Sequence, residues 1–370
     1  MERYNWQKSD WPHFKYSLSG LEDKLFLFAE KVGWLSGMVE SLPEDLQQET
    51  LIELMIKEAV KTSEIEGDYV SRKDVMSSIR KNLGLLSSPE YIADPKAEGV
   101  AELMIDVRKT FNEPLTADKL FQWHRMLFVN CNNIVVGNWR SHEDPMQVIS
   151  GALGKEKVHF EAPPSAQIAD EMNRFLDWFN KTVPAERTRL KDSPVRSAVA
   201  HLYFESIHPF EDGNGRIGRA IAEKALSQGI GRPVMLSLSD AIDSDKKAYY
   251  LALETGQKSN EITPWLHYFM EIMIQAQAKA EAQIEFTLKK VKFFDLFKES
   301  LSDRQMKVIK RMLDEGPAGF EGGMNARKYV GITKVSKATA TRDIQHLVDL
   351  GVFKRSGTAG GRSTSYEISL

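Results

Sequence analysis

The chain has 370 residues, 42% hydrophobic and 27% charged, with a formal net charge of −3. Such a length favours two or three folding units over one core, and the apolar share excludes wholesale disorder. Near-neutrality excludes any whole-chain electrostatic case for nucleic acid or membrane binding, and the single cysteine, Cys131, excludes an internal disulfide or a multi-cysteine metal site.

Residues 1–14 are polar and aromatic with no apolar signal core, and no stretch reaches the roughly 18 apolar residues of a membrane span. A cytoplasmic protein without membrane contact is expected. Helical periodicity dominates, so the fold class is mainly α. Leu51, Leu54, Met55 and Ala59 fall at i, i+3, i+4 and i+8, a packed amphipathic helix running towards Gly67. Between Gly137 and Pro164 the pattern changes. Met146 to Ile149 and Val158 to Phe160 flank a Gly151 to Gly154 segment, as in a short β flap. Asp192-Ser193-Pro194 reads as a cap and first turn, with Val195, Ala198, Val199 and Leu202 on a buried face up to about Ile207. A second helix begins near Gly215, buries Ile217, Ala220, Ile221 and Ala225, and is expected to stop at Gly229. From about Glu271 to Lys290 a polar helix reads as a connector to a separate unit.

The loop between the two central helices carries the chemistry. It reads His208-Pro209-Phe210-Glu211-Asp212-Gly213-Asn214-Gly215-Arg216-Ile217-Gly218-Arg219. Gly213 and Gly215 permit positive φ and close approach of backbone to ligand, so amides at the start of the next helix can face phosphate oxygens. Arg216 and Arg219 lie three apart on the first turns of that helix, where two cations oppose its dipole and a polyanion would relieve the conflict. Asp212 supplies one hard carboxylate of the kind Mg²⁺ takes together with phosphate oxygens. His208 can accept a proton from an attacking hydroxyl, a role worth roughly 10²- to 10⁴-fold in rate. Pro209 stiffens the exit from the preceding helix, and Phe210 is expected to be a buried anchor.

The string resembles the Fic motif: histidine, any residue, phenylalanine, any residue, Asp or Glu, Gly-Asn-Gly-Arg, two residues, arginine. Every specified position is met. The resemblance implies a protein adenylyltransferase that moves AMP from ATP to a Ser, Thr or Tyr hydroxyl of a target protein, within a helical Fic core carrying a β-hairpin flap. It makes His208 the general base and Asp212 the Mg²⁺ ligand. Gly213, Asn214 and Gly215 become the anion hole, with Asn214 oriented to the α-phosphate, and Arg216 and Arg219 hold the β- and γ-phosphates. Relatives of the death-on-curing type carry lysine at the place of Gly215 and act as kinases, so glycine there favours adenylyl transfer. The flap resembles the target-docking hairpin. Tyr250 resembles a nucleobase contact, with an ordinary core aromatic as the alternative.

Thr62, Glu66 and Gly67 fit the family's inhibitory motif of Ser or Thr, three residues, Glu, then Gly or Asn. Thr62 and Glu66 share a helix face, and a carboxylate at a helix C-terminus invites a cation, which the resemblance identifies as Arg219. The same glutamate positions water for de-AMPylation in some members.

Residues 303–370 hold twelve Lys and Arg against seven Asp and Glu. Helices are expected at Gln305–Leu313, Asn325–Val330 and Ser336–Leu350. Two short strands then flank a Gly/Ser-rich tip near Lys354, Arg355 and Arg362. This resembles a winged helix-turn-helix, with Lys337, Thr339, Thr341 and Arg342 as groove-facing candidates. DNA contact and protein docking both remain open for it. The expected domains are a helical region 1–97 with the inhibitory helix, a Fic core 98–280, a helical linker 281–301 and a winged helix 302–370. A homodimer is a family-based expectation. The alternatives are a DNA-binding regulator whose Fic core senses nucleotide, and a transferase of another nucleotide or of phosphocholine.

Overall fold

Two units divide the chain, Met1–Ala280 and Glu281–Leu370. The computed structural model describes residues 3–85, 94–151, 157–185, 189–317, 319–356 and 364–370. The first unit holds α1 (Glu22–Glu40), α2 (Glu44–Ile65), α3 (Arg72–Asn82), α4 (Pro95–Lys109), α5 (Ala117–Leu127), the strands β1 (Gln147–Ser150) and β2 (Lys157–Glu161), α6 (Ile168–Lys181), α7 (Arg189–Ile207), α8 (Asn214–Ile230), α9 (Leu238–Asp243) and α10 (Lys246–Gly256). The long helix α11 (Thr263–Phe297) begins in the first unit and continues into the second.

The mainly α expectation holds, with a helical core and a hairpin flap. Local signals set several boundaries. Asp94 caps α4 by accepting from the Lys96 amide, with Pro95 in the first turn, and Thr116 caps α5 through the Lys119 amide. The apolar stripe of α2 puts Ile52, Met55, Ile56 and Ala59 into a core shared with Val100 and Leu103 of α4, Trp123 of α5, Phe175 of α6, Phe204 and Ile207 of α7, and Ile217 and Ile221 of α8. Fully burying each large side chain there contributes about 1.5–3 kcal/mol.

At the centre, α7 and α8 pack against each other more extensively than any other pair of described elements. Small residues permit that approach. A Cβ on Gly229 would lie 1.9 Å from Ser193 Oγ, and one on Gly218 would lie 2.4 Å from Glu205 Oε1. Two boundary expectations are corrected by this contact. Ser193 is buried against α8 and does not start α7, which runs back to Arg189 with Pro194 inside it. So close to the helix start, the proline costs one backbone bond. Gly229 does not end α8, because it is needed for close packing. The terminator is Gly231 at φ 85°, whose amide donates to the Ser227 carbonyl at 2.8 Å.

The flap is an antiparallel pair, Gln147 opposite Glu161 and Val148 opposite Phe160, with a register shift between Val148 and Ile149. Gly154 lies outside the described residues.

The second unit carries α12 (Asp303–Leu313), α13 (Ala326–Thr333), α14 (Lys337–Asp349) and the antiparallel strands β3 (Phe353–Ser356) and β4 (Ser365–Ile368). Ser302, Asn325 and Ser336 cap the three helices. Val308, Ile309, Tyr329, Ile344, Leu347 and Phe353 form their core. The strand tip with Arg362 lies outside the described residues. No described helix is long and apolar enough to cross a membrane.

Candidate functional site

The loop His208 to Gly213 leaves α7 at His208, which adopts φ 51°. Proline at the next position disfavours the right-handed helical region there. A left-handed non-glycine residue costs on the order of 1–3 kcal/mol and needs surrounding support. Arg140 supplies it. Its Nε donates to the His208 carbonyl at 2.8 Å, its own amide donates to the Pro209 carbonyl at 2.9 Å, and its Nη1 donates to Ser165 Oγ at 2.9 Å.

Phe210 is fully buried and stacks on His124, ring centres 4.3 Å apart at 17°. The Gly137 amide donates to His124 Nδ1 at 3.0 Å, so the His124 proton sits on Nε2, 3.2 Å from the Asp212 carbonyl that accepts it. Burial, the largest influence, holds His124 neutral with its pKa lowered to about 4. The loop is thereby gripped from α5 on one side and Arg140 on the other.

The Asn214 side chain is tied inward. Its Oδ1 accepts from the Phe210 amide at 3.0 Å and its Nδ2 donates to the Phe210 carbonyl at 2.8 Å. The side chain closes the loop on itself, since a buried loop must satisfy its own backbone polar groups. The amides of Asn214, Gly215 and Arg216 precede the first backbone bond of α8, from Ile217 to the Gly213 carbonyl at 3.1 Å. They form the open N-terminal amide set of the helix. Gly213 sits at φ 80°, and a Cβ there would lie 2.6 Å from Phe128. The Asp212 side chain is 59% exposed, with Oδ1 accepting from the Gly213 amide.

The His208 side chain is 14% exposed, and its buried Nδ1 lies 3.7 Å from Glu205 Oε2 with no hydrogen bond among the described residues. Burial, then the Arg140 charge, lowers its pKa to about 4. Burial raises Glu205 to about 8, Glu66 adding to the rise and Arg219 opposing it. A neutral imidazole therefore stands beside a protonated carboxyl at neutral pH.

The arginines point back to α2. Arg219 is buried, its Nε donating to Thr62 Oγ1 at 2.8 Å and its Nη2 to the Thr62 carbonyl at 2.9 Å and to Glu66 Oε1 at 2.8 Å. Burial works against its charge, but Glu66 and neighbouring groups outweigh that and raise its pKa. Helix α2 ends in a left-handed turn: Gly67 has φ 82°, its amide donates to the Glu64 carbonyl at 3.2 Å and the Asp68 amide to the Ser63 carbonyl at 3.0 Å. Gly215 makes room for the carboxylate, since a Cβ there would lie 2.2 Å from Glu66 Oε1. Tyr250 also meets this helix end, its hydroxyl donating to the Ile65 carbonyl at 3.3 Å, while the ring of Tyr249 is the fully buried one.

Sequence reasoning missed Arg140, His124, Glu205 and Asp68. Glu205 had a signal, one turn before His208 on the same helix, and so did Asp68, a carboxylate just past Gly67. Arg140 and His124 had none, because only folding brings them to the loop.

Residues 114–226 match the Fic/DOC family, and residues 4–85 match a domain of unknown function, DUF4172. The gripped loop, the open amides and the paired arginines all fall within the segment that matches the Fic/DOC family model. The chain is similar to protein adenylyltransferase fic-1 of Caenorhabditis elegans, 24% identical over 157 residues, 42% of this chain and 27% of that protein. It is also similar to protein adenylyltransferase Fic of Culex quinquefasciatus, 27% identical over 172 residues, 43% and 32% of the two chains. The match thus spans about a quarter to a third of these relatives. Among solved structures, a Fic family protein from Desulfovibrio desulfuricans G20 aligns over 94% of this chain and 96% of its own, with TM-score 0.51 and 17% identity. A Fic domain containing signaling protein from Bacteroides thetaiotaomicron aligns over 68% and 95%, with TM-score 0.50 and 20% identity.

Proposed function

We propose that the protein is a self-inhibited adenylyltransferase that moves AMP from ATP to a hydroxyl of a target protein. The observation that carries this reading is the pair of buried guanidiniums at the N-terminus of α8, each engaged by a carboxylate from the end of α2. Cations so placed oppose the helix dipole and suit phosphates.

Bound ATP lays its β- and γ-phosphates on Arg216 and Arg219 and its α-phosphate at the amides of Asn214 and Gly215. The target hydroxyl oxygen attacks the α-phosphorus, the bond from that phosphorus to its bridging oxygen breaks, and pyrophosphate leaves. His208 takes the hydroxyl proton. Its neutrality leaves a ring nitrogen free to accept, and the left-handed turn at His208 sets its direction. Most of the catalysis is positioning and charge stabilisation.

Asp212 fits magnesium, since an exposed carboxylate beside a phosphate site is the donor set that ion takes. When bound, the ion offsets charge on the phosphate oxygens. The flap β1–β2 would receive the target backbone as an added strand. Tyr250 would meet the base once α2 moves aside. Glu66 holds Arg219 from the γ-phosphate and would orient water for hydrolytic removal of AMP from the target.

The second unit is read as a winged helix-turn-helix. Lys337, Thr341 and Arg342 of α14 and Lys354 and Arg355 of β3 are exposed, a cationic face suited to duplex phosphates. Fluorescence anisotropy with a labelled duplex at rising salt tests that contact; binding unaffected by salt would argue against it.

The central test incubates the protein with magnesium and ATP labelled on its α-phosphorus. Label transferred to protein, lost in His208→Ala and raised in Glu66→Gly, supports the reading. No label in any form, with ATP bound, overturns it.

A further inference from the structure

Glu66 is not the sole carboxylate at the arginine pair. Two residues further on, Asp68 Oδ2 accepts from Arg216 Nη1 at 2.9 Å. The Arg216 guanidinium is buried, lies 5.0 Å above the ring of Phe128, and keeps its Nε without a hydrogen bond. Its nearest other carboxylate, Asp212, stands off at 3.8 Å. Asp68 is therefore the principal anion on Arg216, as Glu66 is on Arg219.

The turn that ends α2 produces both contacts. Gly67, in its left-handed conformation, reverses the chain so that the residues before and after it project towards α8. The Asp68 amide bond to the Ser63 carbonyl fixes that reversal. Arg216 and Arg219 are three apart and so neighbours on α8. One helix end thus sets two carboxylates on two adjacent guanidiniums.

Asp68 has a second cation, Lys96 at the start of α4, whose Nζ lies 2.5 Å from Oδ1. Lys96 is 62% exposed, against 5% for the Arg216 side chain. Releasing Arg216 leaves Asp68 paired with Lys96 at the surface, so the exchange costs less than exposing a bare carboxylate.

We infer that Asp68 is a specificity-determining residue of the nucleotide site, competing for Arg216 with the second phosphate of an incoming nucleotide while Glu66 competes for Arg219 with the third. This rests on the adenylyltransferase reading. The two carboxylates then discriminate by phosphate count: a nucleoside monophosphate displaces neither, a diphosphate must displace Asp68, and a triphosphate must displace both.

The experiment is calorimetric titration of AMP, ADP and a non-hydrolysable ATP analogue, each with magnesium, into the full chain and its Asp68→Asn, Glu66→Gly and Lys96→Met forms. Asp68→Asn is expected to tighten ADP and the ATP analogue about tenfold, the scale of one charge-assisted hydrogen bond, and to leave AMP unchanged. Glu66→Gly is expected to tighten the ATP analogue alone. Lys96→Met, a surface change, is expected to weaken ADP by strengthening the hold of Asp68 on Arg216, and it keeps the inference testable should Asp68→Asn fold poorly. If Glu66→Gly tightens the ATP analogue while Asp68→Asn leaves ADP unmoved, or moves AMP equally, the inference falls and the reading stands. If Glu66→Gly binds no nucleotide at all, both fall.

Discussion

Gly215 and Glu66 share one volume: a methyl group on the glycine would sit 2.2 Å from the Glu66 carboxylate oxygen that bonds Arg219. The missing side chain at Gly215 is therefore what admits the Glu66 carboxylate to the start of α8.

A double-mutant cycle measures that relationship. Gly215→Ala is expected to destabilise the protein by about 1–3 kcal/mol, the usual cost of overpacking. In Glu66→Gly the same change should be neutral or stabilising by up to about 1 kcal/mol, because Gly215 is helical and alanine is the better helix former. Urea denaturation of the four proteins gives the coupling. Equal costs in both backgrounds would mean the carboxylate is easily displaced.

Thr62 is fully buried and gives Arg219 two acceptors, its hydroxyl and its carbonyl. Thr62→Val keeps the shape and removes the hydroxyl, leaving a buried N–H unsatisfied at about 1–3 kcal/mol. That cost falls on the closed arrangement alone, so autolabelling from ATP should rise together with the loss of stability. A stability loss without increased labelling would place Thr62 in packing only.

Glu205 and His208 give the protein opposed pH dependences. Burial raises Glu205 from 4.5 to about 8, so the folded chain keeps a proton that the unfolded chain has released. The associated stability is complete below about pH 4.5 and disappears as pH rises through 8. Burial lowers His208, and likewise His124 and His201, from 6.5 to about 4, so their share is complete above 6.5 and is lost as pH falls through 4. Glu205→Gln should flatten the alkaline limb and leave the acid limb in place, which melting curves between pH 4.5 and 9 will show. An unchanged alkaline limb would assign it to another group, Glu223 being the next candidate at about 7.

Arg140→Leu removes the donor to the His208 carbonyl and unclamps a residue held at φ 51°. A loss of about 2–4 kcal/mol is expected from carbonyls left buried without partners. Labelling in Glu66→Gly should fall through kcat more than through KM for ATP, because the misplaced group is the proposed base and not the proposed phosphate-binding arginines. Steady-state kinetics of Glu66→Gly with and without Arg140→Leu decide the point.

The chemistry was legible in the sequence because its residues are contiguous. His208 to Arg219 occupy one loop and the first turns of one helix, and Thr62 to Gly67 one helix end, so spacing alone puts them on common faces. The helices were legible for the same reason, since the Ser336 cap and the stripe from Leu51 to Ala59 are local signals. Boundaries decided by packing were not. Pro194 read as a start and Gly229 as a stop until the contact between α7 and α8 showed one inside its helix and the other making space for Ser193.

By itself, then, the sequence determined which groups share the candidate site, because a helix N-terminus and three-residue spacing fix that within a dozen residues. Only the tertiary structure decided which partners hold those groups. Arg140, His124 and Asp68 reach the loop from 68 to 148 residues away along the chain. Burial there, and not residue type alone, lowers the His208 pKa and keeps Glu205 protonated, since the cost of a charge depends on what surrounds it.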